Sequence, residues 1–206
     1  MDFKTALTRY LTQQQLDAIE KVQIGIAGAG GLGSNCAAAL VRCGFKKLRI
    51  IDYDCIEPSN LNRQFFFADQ IGMAKVEALG QNLCRINPDL ELELIQQKIT
   101  AQNVGDWFED RQVVLECLDV PAIKSLLVQH YASAGKLVVA VSGIAGWGNS
   151  DDIVVRKVGS KLFVIGDEKS GIDNMPPLAP RVAIAAAKQA DIVLAYILGN
   201  MPQEGR

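Results

Sequence analysis

Two polar clusters carry the chemistry this chain can do. Gly28-Ala29-Gly30-Gly31-Leu32-Gly33 follows the apolar run Val22 to Ala27. Ser59-Asn60-Leu61-Asn62-Arg63-Gln64 follows Asp52-Tyr53-Asp54, which closes the next apolar run. A glycine turn between a strand and a helix offers backbone N–H groups and a positive dipole end to a phosphate. The second cluster adds a guanidinium, amides and a hydroxyl. Hydride transfer needs few charges at this place, whereas chemistry on a triphosphate needs several.

Each glycine has a distinct task in such a turn. Gly28 permits the tight exit from the strand, Gly30 removes a Cβ where phosphate must approach, and Gly33 lets the helix pack close to the sheet. Asp52 follows Gly33 by about twenty residues, where a carboxylate can accept hydrogen bonds from ribose hydroxyls. This much does not separate NAD from ATP. Asn60, Arg63 and Gln64 emerge from the carboxyl end of the second strand, the edge at which open parallel sheets bind ligands. Arg63 can fork two N–H groups onto a phosphate and stabilise charge as a bond breaks. Lys75 opens the next helix, where a cation opposes the local dipole, so it reads either as a solvated side chain or as the mark of a bound anion. Asp119 follows the strand Val113 to Cys117. It can hold Mg²⁺ between phosphates and a substrate carboxylate, or cap the helix that begins near Pro121.

The elements that must position these groups alternate in type. Residues 1–20 read as helix, with Thr12 as a cap. Strands are expected at Val22–Ala27, Leu48–Ile51, Leu90–Ile95, Val113–Cys117 and Leu137–Val141. Helices are expected at Ser34–Cys43, Ala74–Ile86, Thr100–Phe108 and Ala122–Ala134. This rhythm predicts an α/β, Rossmann-like, mostly parallel sheet with helices on both faces. It then changes. Ile153–Val158 and Leu162–Ile165 flank Gly159-Ser160 and suggest a C-terminal antiparallel hairpin. Gly166 to Pro180 reads as a loop, and a final helix runs from near Pro180 to Leu198.

Composition narrows the function class. The chain has 206 residues, a formal net charge of −2 and an ordinary apolar content of 49%. A nucleic-acid-binding surface usually shows a basic excess, so nucleic acid is disfavoured as a partner. No apolar stretch approaches the ~20 residues of a membrane span, and the N-terminus lacks a secretory profile. The five cysteines, Cys36, Cys43, Cys55, Cys84 and Cys117, form no C-x-x-C pair. Zinc-knuckle spacing is therefore absent, and the scattered thiols read as reduced and cytoplasmic. The single histidine, His130, lies in an expected amphipathic helix and reads as structural, which argues against a His-based triad.

Taken together, these motifs resemble a known superfamily. Gly28-x-Gly30-Gly31-x-Gly33, Asp52-x-Asp54-x-Ile56-x-x-Ser59-Asn60-Leu61-x-Arg63-Gln64, Gly72-x-x-Lys75-Val76 and Cys117-x-Asp119 look like the ubiquitin-activating-enzyme fold. Within it, the likeness is closest to the ThiF/MoeB/HesA adenylyltransferases. Phe65 to Gly72, and Pro180-Arg181-Val182 before an Ala-rich helix, resemble the shorter ThiF-type proteins of thiamine synthesis. The resemblance covers residues 20–198. It implies a single adenylation domain over 1–206, made of an N-terminal helix (1–20), a nucleotide-binding core (21–145), and a hairpin, crossover loop and C-terminal helix (146–206).

The resemblance also implies an activity. Such enzymes bind ATP with Mg²⁺ and adenylate the C-terminal glycine carboxylate of a small ubiquitin-like sulfur carrier of the ThiS type, releasing pyrophosphate. Gly28, Gly30, Gly31, Gly33, Asp52, Asp54, Asn60, Arg63, Gln64 and Lys75 would then bind the nucleotide. Arg63, Lys75 and Asp119 would be catalytic, with Asp119 at the Mg²⁺. The expected partners are a carrier ending Gly-Gly, thiazole synthase and a second copy of the chain in a homodimer.

The chain departs from the family pattern at three places. It has no paired C-x-x-C, so no zinc is expected. Gly166 to Pro180 contains no cysteine, which counts against a covalent step through that loop. Thr12 stands where relatives carry an arginine that reaches the partner subunit's nucleotide. Three alternatives follow: an ATP-dependent dehydratase of a modified tRNA nucleoside from the same superfamily, a non-catalytic nucleotide-binding module, and an NAD-dependent oxidoreductase. The last gives the Arg63 loop no role.

Overall fold

The computed structural model describes residues 3–171 and 173–201. Seven strands form one sheet: β1 (Gln23–Ala27), β2 (Lys47–Ile51), β3 (Glu91–Ile95), β4 (Val113–Glu116), β5 (Leu137–Val141), β6 (Val154–Lys157) and β7 (Leu162–Gly166). Their spatial order is β3-β2-β1-β4-β5-β7-β6. All neighbours are parallel except β6 and β7, the expected hairpin, and β7 also lies parallel to β5. The chain runs outward from β1 in both directions, so the order reverses between β1 and β4. Their register sets Ala27 opposite Glu116. In an open sheet of this kind the ligand crevice lies outside the carboxyl ends of the strands at that reversal.

The central strands are apolar because both faces are covered. β4 and β5 are buried along their whole length, as a parallel sheet between helices requires. One face carries α3 (Gly31–Arg42), α4 (Lys75–Cys84) and α6 (Ala179–Leu198) over Ile24, Ile26, Leu48, Ile50 and Leu115. The other face is closed by α5 (Pro121–Ser133) and by Phe108 and Tyr131, whose rings meet at 5.6 Å. β3, at one edge, keeps Glu91 and Glu93 in solvent, and Glu93 is bridged to Arg49 and Arg111.

Two expectations are corrected. The N-terminal segment forms two helices, α1 (Phe3–Leu7) and α2 (Gln13–Lys21), rather than one. Thr12 separates them by starting a new helix. Its hydroxyl accepts the Gln15 N–H, and the Gln15 side chain accepts the Thr12 N–H at 2.9 Å, a reciprocal cap. Thr100 to Phe108 forms turns, not a helix. There Asn103 Oδ1 accepts the Thr100 N–H at 2.7 Å and Asn103 Nδ2 donates to the Lys98 carbonyl, so its side chain competes with helical bonding. Among the described residues no helix is long and apolar enough to cross a membrane.

Candidate active site

The turn after β1 forms the floor of the crevice. Gly28 has φ of 99°, and its N–H donates to the Ile51 carbonyl at 2.8 Å. A side chain is excluded there by conformation and by space, since a Cβ would lie 2.6 Å from the Cys117 carbonyl oxygen. A Cβ at Gly33 would overlap the Gly28 carbonyl oxygen, so the first turn of α3 packs directly on the turn that feeds it. Gly30 is the residue before α3, and its Cβ position is open, with Gln64 Nε2 as its nearest neighbour at 3.9 Å. α3 thus begins at Gly31, earlier than expected from the sequence, and its first N–H groups face this opening.

Asp52 is bound to the same turn. Its Oδ2 accepts the Ala29 N–H at 2.6 Å and its Oδ1 accepts the Asp54 N–H at 2.9 Å. Each oxygen keeps a second lone pair for a hydroxyl. Burial pushes the Asp52 carboxyl above its ordinary value, and the two N–H bonds and the nearby Lys75 charge work against that.

The Asn60–Gln64 segment is folded over the start of α3. Pro58–Asn62 is a short 3-10 turn. Asn35 Nδ2 donates to the Arg63 carbonyl at 2.8 Å, and Ser34 Oγ accepts the Phe65 N–H at 2.9 Å, so α3 holds the segment from below. The aliphatic stem of Arg63 crosses Gly31, with Cγ 3.5 Å from where a Cβ would sit, and Val182 of α6 closes the same space at 3.0 Å. Arg63 Nη1 donates to Asn62 Oδ1 at 2.7 Å and to the Ser59 carbonyl at 3.3 Å, which leaves Nε and Nη2 free. Asn60 is buried, and its Oδ1 accepts the Glu57 N–H. Gln64 is only 8% exposed, yet its Oε1 has no partner. A buried amide oxygen without a hydrogen bond carries a desolvation cost, which only a bound hydrogen-bond donor would relieve, while the Gln64 Nε2 end lies nearest the opening at Gly30.

Lys75 is the first residue of α4, with a side chain only 8% exposed. A short antiparallel pairing, Cys55 opposite Ala74, brings it across from Asp54. Its Nζ then meets Asp54 Oδ2 at 2.7 Å. The opposing dipole that hinted at a bound anion is therefore met within the chain by a carboxylate. Asp119 is exposed and makes no side-chain hydrogen bond, and Val120 occupies the position before α5, so Asp119 is not that helix's cap. Among the described residues no three His, Cys, Asp or Glu side chains cluster to hold a metal ion.

Near the crevice, Glu116 and Lys124 escape the sequence reading, and Arg181 enters it only as part of a family motif without a role. Glu116, the last residue of β4, is buried and paired with Lys124 of α5 at 2.6 Å. An acid inside the run Val113-Val114-Leu115-Glu116-Cys117 was the available signal, because a buried carboxylate demands a partner. Arg181, 4% exposed at the start of α6, pairs with Asp167 and donates to the Gly148 and Asn149 carbonyls at 3.0 and 3.1 Å. It ties the loop after β7 and the loop after β5 to the helix whose Val182 lines the crevice. Cys117 is buried against Gln189, and burial raises its thiol well above the ordinary value, which makes it a poor nucleophile. Cys55 is exposed. His130 lies on the outer side of α5 with its ring edge on Tyr131. Thr12 is committed to its cap, and Arg9 is exposed.

The geometry agrees with comparisons to known proteins. A model of the ThiF family matches residues 4–206. Curated relatives include ubiquitin-like modifier-activating enzyme 5 of Caenorhabditis elegans, 35% identical over 125 residues, which is 55% of this chain and 30% of the relative. The Arabidopsis thaliana protein of that name is 43% identical over 96 residues, 47% of this chain and 22% of the relative. The chain thus spans less than a third of the length of these relatives. Among solved structures, E. coli tRNA N6-threonylcarbamoyladenosine dehydratase, TcdA, in complex with ATP superposes with a TM-score of 0.85 at 20% identity. That match covers 98% of this chain and 96% of the other. E. coli MccB with ATP gives 0.71 at 21% identity, covering 91% of this chain and 59% of the other. At these identities the structural likeness establishes the fold.

Proposed function

The chain belongs to the ThiF family, and from that premise we propose that it binds ATP in the crevice between β1 and β4 and transfers AMP to a carboxylate, releasing pyrophosphate. The observation that carries this reading is the Arg63 stem lying across Gly31, beside the Gln64 Nε2 donor that is nearest to the open Cβ position of Gly30. A triphosphate fits such a cradle, because Gly30 leaves room for it and the α3 N–H groups and Arg63 supply donors. Solved relatives of the same fold hold ATP and AMP.

The residues divide the work. Asp52 takes the ribose hydroxyls with its spare lone pairs. Gly30 leaves the approach to the α3 N-terminus open to the phosphates, while Gly28, Gly31 and Gly33 let the turn pack against Cys117, the Arg63 stem with Val182, and the Gly28 carbonyl. Asn60, Arg63, Gln64 and Lys75 face the β- and γ-phosphates, the two amides as hydrogen-bond donors and Arg63 and Lys75 as cations, with Asp54 fixing the Lys75 amine. The attacking carboxylate oxygen forms a bond to the α-phosphorus as the bond to pyrophosphate breaks. A carboxylate is a weak nucleophile, so alignment and charge neutralisation supply most of the rate. Mg²⁺ commonly takes one or two carboxylates together with phosphate oxygens, and Asp119, exposed and unbonded at the edge of β4, suits that role. Bound there, the ion would neutralise charge on the departing pyrophosphate.

Two acceptors are chemically equivalent up to this step. One is the carboxylate of a modified tRNA nucleoside, as in the dehydratase whose fold matches over nearly the whole chain. That match favours this acceptor over the thiamine sulfur carrier expected from the sequence. The other is the C-terminal glycine of a ubiquitin-like protein, which the names of the curated relatives support. In either case residues 1–206 act as one adenylation domain, and a homodimer is the working assembly. Exchange of labelled pyrophosphate into ATP, run with tRNA bearing N6-threonylcarbamoyladenosine and separately with a sulfur carrier ending Gly-Gly, distinguishes them. Stimulation by one acceptor identifies it. ATP binding without exchange under either condition would make the chain a nucleotide-binding module instead.

A further inference from the structure

The loop that carries Asp119 is gripped from beneath by a buried ion pair. Glu116 has a side chain 1% exposed. Its Oε1 accepts the Leu118 N–H at 2.7 Å, and its Oε2 accepts from Lys124 Nζ at 2.6 Å. The same Lys124 amine donates to the Leu118 carbonyl at 2.9 Å. Both peptide groups of Leu118 are therefore held by one charge pair, and the second of those peptides ends at the Asp119 nitrogen. Gln189 Nε2 secures the Glu116 carbonyl at 3.2 Å, so the base of the grip is itself fixed. Asp119, by contrast, has no side-chain partner at all.

Stability alone is a weak reason for this arrangement. A buried ion pair loses hydration, and apolar side chains of similar volume are commonly as stable or more so. The distinguishing feature is that both partners converge on Leu118. We propose that Glu116 and Lys124 are positioning residues, which hold the Leu118–Asp119 peptide so that the Asp119 carboxylate faces the metal-bound triphosphate. This rests on the reading of the site given above and adds to it the means by which an otherwise unsupported carboxylate is aimed. Misplacing such a group by about 1 Å can lower the rate on the order of a hundredfold.

The double variant Glu116→Met/Lys124→Met tests this, because it removes the pair and the acceptor of the Leu118 N–H without leaving a lone buried charge. Lys124→Gln repeats the comparison with a smaller change, and Lys124→Arg restores charge and donors. Three quantities are measured on the 206-residue chain: kcat for pyrophosphate exchange, KM for ATP, and hydrogen exchange of the Leu118 amide. The expected result is a kcat lowered about tenfold or more with KM for ATP held within about twofold in the double variant and in Lys124→Gln. The Leu118 amide should exchange about tenfold faster. Lys124→Arg should return both readouts to near the wild-type values. Wild-type kcat and an unchanged Leu118 amide in folded variants would overturn the proposal. If the wild type shows no exchange, the functional reading fails separately, and the amide measurement still decides whether the pair holds the loop.

Discussion

Lys75 Nζ lies 2.7 Å from Asp54 Oδ2, and the two residues also share a backbone bond from the Lys75 N–H to the Asp54 carbonyl at 2.9 Å. The amine is thereby fixed in place before any anion arrives. In the proposed reading Asp54 orients the cation and the cation acts on phosphate. Lys75→Met should lower exchange about a hundredfold, the scale for losing one charge-assisted contact in a transition state. Asp54→Asn keeps the amine and loses its anchor, so a smaller loss, about tenfold, is expected. Steady-state exchange kinetics on the two variants check the order. A larger loss in Asp54→Asn than in Lys75→Met would reverse these roles.

Gly30 and Gly33 separate ligand space from folding space. A Cβ at Gly30 meets nothing closer than 3.9 Å, whereas one at Gly33 overlaps the Gly28 carbonyl oxygen. Gly30→Ala should leave unfolding free energy within about 0.5 kcal/mol of wild type. Its methyl group nevertheless occupies the approach to the α3 N-terminus, so ATP affinity should fall about tenfold or more. Gly33→Ala should destabilise by about 3 kcal/mol, because backbone rather than a flexible side chain is in the way. Urea unfolding with and without ATP measures both effects. Unchanged ATP affinity in Gly30→Ala would place the phosphates elsewhere.

Asp167 and Arg181 set an acid limit on the loops beside the crevice. Burial alone would raise the Asp167 carboxyl. The N–H groups of Ser170 and Lys169, the Ser170 hydroxyl and the Arg181 guanidinium outweigh burial and hold it at about 2. A carboxyl held below its unfolded value of about 3.9 adds stability above that value and loses it as pH falls through the folded value. The contribution is complete above about pH 4 and disappears towards pH 2. Asp167→Asn should lose about 3 kcal/mol at pH 7, since it strands a buried guanidinium. It should also show a flatter decline between pH 4 and 2. Denaturant midpoints at pH 7, 4 and 2.5 test the pair, and parallel acid limbs would exclude Asp167 as their source.

The legible part of this molecule was the part where local sequence dictates backbone. The turn at Gly28–Gly33, the strands around it and the hairpin about Gly159-Ser160 have short-range causes, namely glycine spacing, apolar runs and turn residues. They are found where expected. Thr100–Phe108 misled because its apolar spacing suits a helix, while the Asn103 side chain takes the backbone bonds a helix would need. The break at Thr12 was half legible. Its capping side chain is readable from the sequence, and the separate helix before it is not. In the site, the sequence supplied residue types without their partners. Nothing near Lys75 in sequence names Asp54, because a long excursion through Ile71 and Gly72 brings them together. Arg181 is legible only as part of the Pro180-Arg181-Val182 motif, without its partner Asp167, and the nearby Glu116 and Lys124 are hidden because nothing in an apolar strand names the helix residue that answers its one acid.

The most direct test is pyrophosphate exchange into ATP by wild type, Arg63→Ala and Asp119→Ala, each with a stimulating acceptor carboxylate present. Both variants should remain folded, since Asp119 is unbonded and Arg63 is only partly buried, and both should lose exchange about a hundredfold. Wild-type rates in the two variants would contradict the assignment of the crevice between β1 and β4 as the place where ATP is activated.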